Sequence, residues 1–196
     1  MFDGNQEKFL QKRASRIVES YADFLRPGES WLSVGDGDGY VSLHTQRHCG
    51  VEPRGLDVDI DWPNRNDAVP IDHYDGLSMP YDDNSFDVVS AIFSLHHCDD
   101  VESVLCEMVR VSRKKIVICE DIYNTWFGHK VVCFMDMLEN RAVSKEINIP
   151  YNFRTVTEWV LLFKKLDLDI NTSKRLKIFP WFPVRHHVFC LEVNVR

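Results

Sequence analysis

The chain has 196 residues, enough for one domain with a full core, and its 44% apolar and 27% charged residues are those of an ordinary globular protein. A net charge of −7 counts against nucleic acid as a partner, since phosphate binding draws on basic surface; the basic clusters at 113–115 and 174–177 read as solvated faces. Six cysteines are scattered without a C-x-x-C pair, and no signal peptide or apolar span is visible, so a reduced, cytoplasmic protein with no membrane association is expected.

Apolar residues recur at helical spacing from 6 to 25, among them Phe9, Ala14, Ile17, Val18 and Tyr21, until Pro27-Gly28 ends the pattern. Trp31 to Val34 reads as a first strand. It breaks into Gly35-Asp36-Gly37-Asp38-Gly39, and a helical pattern follows from Tyr40 to His48. Glycines at alternate positions let a ligand approach the backbone, and the amides that open the next helix can hold an anionic group. A second strand, Glu52 to Asp57, ends in a carboxylate placed to accept from ribose hydroxyls. After a loop over 58–67 come a third strand at Val69 to Ile71, a fourth at Phe86 to Phe93, a helix at Val101 to Val111 and a strand at Lys115 to Cys119.

The last third places helices at Thr125 to Leu138 and Thr155 to Lys165, then strands at Leu168 to Ile178 and His187 to Val195, joined through Pro180 and Pro183. Alternating strands and helices predict an α/β fold: a doubly wound Rossmann-like sheet, mostly parallel with an antiparallel terminal strand, and helices on both faces. With no repeat or linker in view, residues 1–196 read as a single domain.

The glycine spacing is not the Gly-x-Gly-x-x-Gly of dinucleotide folds. The stretch Asp75-Gly76-Leu77-Ser78-Met79-Pro80-Tyr81-Asp82-Asp83-Asn84-Ser85-Phe86-Asp87-Val88-Val89 resembles the "DG-x-x-LPF-x-D-x-SFDVV" signature of class I S-adenosylmethionine-dependent methyltransferases, in particular the small type-11 domains. Leu95-His96-His97 and Glu107-Met108-Val109-Arg110-Val111 have counterparts there too, and 75–111 is the most specific part of a resemblance running from about residue 10 to the end. The resemblance implies S-adenosyl-L-methionine as cofactor. It places Gly35, Gly37 and Gly39 around the methionine part, Asp57 at the ribose with Val58 beside it, and Asp75 at the adenine amino group with Gly76 nearby. Phe93 would line the methyl-transfer face. The acidic rim of Asp36, Asp38, Asp57, Asp59 and Asp75 would attract a sulfonium and repel a pyrophosphate. One departure is Ser33, where the family carries an acid toward the cofactor's amino group. A neutral bond there has roughly half the strength of a charge-assisted one, so weaker cofactor binding is expected unless Asp36 compensates.

On the acceptor side, in-line methyl transfer needs alignment first and a base only if the acceptor must lose a proton early. His96 and His97, just past the fourth strand, are the catalytic candidates. Met135-Asp136-Met137-Leu138-Glu139-Asn140 and Ile149-Pro150-Tyr151-Asn152-Phe153 resemble elements of one branch of type-11 domains, although Glu139 replaces that branch's glycine. From these, Asp136, Asn140, Tyr151 and Asn152, with Trp126, are candidates for an acceptor pocket. No metal site is expected, because adjacent histidines on a strand point to opposite faces. No Asn-Pro-Pro-Tyr element follows the fourth strand. The expected activity is therefore methyl transfer to a small molecule. A methyltransferase-like scaffold with weak or no turnover is one alternative, and a nicotinamide-dependent oxidoreductase another.

Overall fold

In a computed structural model of the chain, which describes residues 4–62, 65–143, 150–179 and 183–193, the strands form one seven-stranded sheet. Its strands are β1 (Ser30–Val34), β2 (Glu52–Asp57), β3 (Ile71–His73), β4 (Phe86–Ile92), β5 (Ser112–Ile122), β6 (Leu168–Leu176) and β7 (Arg185–Val193), in the order β3-β2-β1-β4-β5-β7-β6. β1 to β5 pair in parallel, and β7 runs antiparallel to both β5 and β6.

Successive side chains on a strand face opposite ways, and here both sides are apolar. Leu32, Val34, Val89, Ala91, Ile116, Ile118, Phe189 and Leu191 meet helices α3 (Val101–Val111) and α5 (Val156–Lys165). Trp31, Val88, Val117, Cys119, Val188 and Cys190 meet helix α1 (Gly4–Glu19), which contributes Ile17 and Val18, with helix α2 (Tyr40–Cys49) beside it. That two-sided burial is why the central strands are almost continuously apolar. Helix α4 (Trp126–Val143) closes a third, small cluster of Val132, Phe153 and Val184.

Local sequence sets the helix starts. Asp100 caps α3 by accepting from the Ser103 amide, and Thr155 and Glu158 form a reciprocal capping box on α5. Glu107 and Arg110, part of the stretch that resembles the methyltransferase family, grip the chain ahead of β4. Glu107 accepts from the Met79 amide, while Arg110 donates to the carbonyls of Met79 and Tyr81.

Three expectations shift. The third strand starts at Ile71 rather than Val69; Pro70 lacks an N–H, although its carbonyl accepts from Gly55 at 2.8 Å. The last strand starts at Arg185 rather than His187, since its pairing with β5 extends to Arg185 opposite Ile122. α4 runs on to Val143 rather than ending at Leu138, so Asn140 is an interior helix residue. Ile149 and Pro180 lie outside the described residues.

Candidate active site

The carboxyl ends of β1, β2 and β4 converge on the glycine loop, the place where open α/β sheets bind ligands. Gly35, Gly37 and Gly39 all adopt positive φ, at 69°, 52° and 73°. At Gly35 a side chain is excluded outright, because a Cβ would stand 2.4 Å from that of Ser94. The buried Asp57 carboxylate accepts from the Gly37 amide at 2.8 Å and from the Asp59 amide at 3.2 Å. Burial pushes its pKa up, against those two bonds. Each oxygen keeps a lone pair for a further donor.

Asp75 lies in the open, with Oδ1 accepting from the Leu77 and Ser78 amides; these bonds hold its pKa below the usual carboxylate range. Gly76 adopts φ 84° beside Val58, and Val58 and Leu77 are each more than half exposed. These features fit a nucleoside cofactor: a glycine cradle and, beside it, a buried carboxylate with lone pairs left for a further donor.

Asp36 does not stay available to the cofactor's amino group. It is buried, bonded to the Ser42 hydroxyl and paired with Arg65 at 2.7 Å. Gly55 on β2 leaves room for this pair, since a Cβ there would stand 2.6 Å from the Asp36 carboxylate. Arg65 also donates to the Gly37 carbonyl at 2.5 Å, the Asn66 amide donates to the Asp38 carbonyl, and the Trp62 indole lies over Gly37. The loop after β2 is thus bolted onto the glycine loop, and the charge of Asp36 is spent on Arg65. Ser33 is buried on β1 between Gly55 and Ser90 and carries no charge.

Phe93 follows β4 at φ 54°, a conformation that is strained for a bulky residue and recurs at functional positions. Its amide is held by the Cys119 carbonyl, and the Arg13 guanidinium of α1 sits 5.1 Å from its ring centroid. Sequence reading missed Arg13, Arg65 and Glu120. The first two lie in a helix and a loop far along the chain from their partners, and Glu120 is hidden in an apolar strand.

His96 and His97 sit on a 3-10 turn, Leu95–His97, not on a strand. The argument from opposite faces therefore fails, and both rings point toward Asp136 of α4. His96 Nε2 stands 3.3 Å and His97 Nε2 3.8 Å from Asp136 Oδ1. His96 is only 3% exposed, stacks on Phe153 and binds Glu120 through Nδ1 at 2.5 Å. Glu120 also accepts from the Ser94 and Leu95 amides. Burial pulls the His96 pKa down, but Glu120 and Asp136 outweigh it and raise it to about 10.

Asn140 donates to Asp136 Oδ1 at 2.6 Å, and Asn152 ties its loop to the histidine turn through the carbonyls of His96 and Cys98. Tyr151 adjoins it, partly exposed, at φ 58°. Trp126 is not part of this group. It is 75% exposed on the first turn of α4, ten residues and about 15 Å of helix before Asp136.

Comparison with known proteins agrees with this geometry. Residues 32–118 match the methyltransferase domain family. The 27-O-demethylrifamycin SV methyltransferase of Amycolatopsis mediterranei is 29% identical over 116 residues, which cover 53% of this chain and 43% of that protein. The chain thus spans less than half the length of that curated relative. The Haloferax volcanii methyltransferase solved with the Trm112 methyltransferase activator superposes with a TM-score of 0.70 at 15% identity, over 95% of this chain and 93% of the other. A geranyl diphosphate methyltransferase in complex with S-adenosylmethionine gives 0.68 at 14%, over 92% and 85%. No helix of the described residues is long and apolar enough to cross a membrane. The matched domain, the sheet order and the glycine loop agree: residues 32–118 are similar to the methyltransferase domain family, and the chain has the fold of class I S-adenosylmethionine-dependent methyltransferases.

Proposed function

We propose that this chain transfers the methyl group of S-adenosylmethionine to a small-molecule acceptor. The observation that carries this reading is the glycine loop seated on Asp57, where three left-handed glycines bring the Gly37 amide onto a buried carboxylate. When bound, the cofactor supplies an electrophilic methyl on a sulfonium. Gly35, Gly37 and Gly39 wrap its methionine part, with Ser33 as a neutral partner for the amino group. Asp57 and Val58 hold the ribose side, and Asp75 and Gly76 the adenine. Phe93 lines the path of the methyl group, and its ring keeps water from it.

Across from Phe93, His97 is the histidine able to reach an acceptor, being part-exposed, while the buried His96 positions it. Asp136, Asn140, Asn152 and Tyr151 frame the acceptor space, and the acidic net charge favours a small molecule over nucleic acid. The relative named for a rifamycin substrate and the neighbour named for geranyl diphosphate support the same class.

A scaffold with little turnover is the second reading, favoured by Ser33 and by the commitment of Asp36 to Arg65. Calorimetric titration with S-adenosylhomocysteine and with NAD tests the cofactor. Binding of the first alone is expected, and Asp57→Asn should weaken it at least about tenfold by removing a charged acceptor. Binding of NAD alone, or no heat with millimolar S-adenosylhomocysteine, overturns the reading. Consumption of labelled donor with a mixed small-molecule pool then separates an enzyme from a scaffold.

A further inference from the structure

We infer that His96, His97 and Asp136 form a binding site for a zinc-type divalent cation. The two ring nitrogens and the carboxylate lie within 4.8 Å of one another. Around a tetrahedral ion with bonds of about 2.0 Å, ligand atoms stand about 3.3 Å apart. The His96–Asp136 separation already matches this at 3.3 Å, and the His97 contact, at 3.8 Å, closes with a small turn of a part-exposed ring.

A second observation points to a ligand. Asp136 is nine-tenths buried, and its Oδ2 has no hydrogen-bond partner among the described residues. Leaving a buried carboxylate oxygen unsatisfied is costly, and a bound cation would satisfy it.

The surroundings have the order of a metal site. Metal-binding histidines usually give their other ring nitrogen to a carboxylate, and ligating carboxylates are themselves hydrogen-bonded. Here Glu120 takes His96 Nδ1 and frees Nε2 to face Asp136, while Asn140 orients the Asp136 carboxylate. Two imidazoles and one carboxylate suit zinc and its neighbours, whereas magnesium and calcium want oxygen ligands throughout. Three protein ligands also leave a position for an oxygen. On the methyltransferase reading, that oxygen belongs to the acceptor, which would then be a hydroxyl- or carboxylate-bearing molecule. Cation binding itself does not depend on that reading.

The test is zinc titration of chelator-stripped full-length protein by calorimetry, with the bound metal counted by mass spectrometry and with S-adenosylhomocysteine present or absent. One equivalent is expected, weakened at least tenfold in His97→Ala and in Asp136→Asn. Glu120→Gln should weaken it by ten- to a hundredfold, as for other outer-shell partners. His129→Ala serves as the control, since His129 and Cys133 make a rival pair with Sγ 3.7 Å from Nε2. Far-ultraviolet circular dichroism confirms that each variant is folded. Substoichiometric zinc, or zinc lost only in His129→Ala, overturns the proposal. Zinc binding without S-adenosylhomocysteine binding defeats the methyltransferase reading and leaves the site standing; the reverse result defeats the site alone.

Discussion

Two buried charged groups stand at the carboxyl ends of the strands, and they are built on opposite plans. At the glycine loop, Asp36 is closed. One oxygen takes the Ser42 hydroxyl, the other takes Arg65, and the guanidinium goes on to the Gly37 carbonyl. At the turn after β4, the cluster of His96, Glu120 and Asp136 leaves one carboxylate oxygen without a hydrogen-bond partner among the described residues. A closed group does structural work, because every charge is consumed in holding one loop against another. An open group keeps capacity for something that arrives later. The glycine loop is thus fixed by internal pairing, while the histidine turn holds polar capacity in reserve.

The contrast can be broken by substitution in the ligand-free protein. The largest effect is expected for Gly35→Ala, which combines a non-glycine residue at φ 69° with a contact of 2.4 Å to Ser94. Strain and overpacking together should cost ~3–5 kcal/mol in urea unfolding. A loss below ~1 kcal/mol would mean that the two loops separate easily. Arg65→Ala should cost about 3–4 kcal/mol, because it strands the Asp36 carboxylate in a buried position. A neutral result would show that the glycine loop is not clamped by that pair.

The smallest effect is expected at the open cluster. Asp136→Asn should change stability by no more than about 1 kcal/mol, since His96 keeps Glu120 and the new amide can still meet Asn140. A loss as large as that of Arg65→Ala would erase the distinction between the two groups.

How much of this was legible in the sequence follows the range of the interactions. β1, β4 and α3 show themselves through local pattern: short apolar and β-branched runs for the strands, and apolar spacing through Val104, Leu105 and Met108 for the helix. The signature over 75–111 carried the family because it holds its own contacts, Glu107 and Arg110 gripping residues 79–81. β3 was misplaced because three residues beside a proline give little periodicity. The partner of Asp36 was invisible, as Arg65 lies 29 residues on in a loop without pattern. The histidine pair was misjudged for a different reason. The chain leaves strand geometry at Phe93, and a 3-10 turn brings side chains together that a strand would have parted. Trp126 looked like a pocket wall because aromatic residues suggest one, but its place on the first turn of α4 faces solvent.

The missing side chain at Gly35 has a consequence beyond its own loop. Ser94 packs into the space it leaves and donates to the Val34 carbonyl, while its amide and that of Leu95 are fixed on Glu120, the residue that holds His96. Glycine loop and histidine turn are therefore set to a common gauge by the Ser94 hydroxyl and the Glu120 carboxylate. The segment around Asn152 and helix α4 rest on the same turn, through the carbonyls of His96 and Cys98 and through Asp136 against His96. On the proposed function, exchange of an exposed position there, Tyr151, is the way to change which acceptor is admitted while the interval between methyl donor and recipient is preserved.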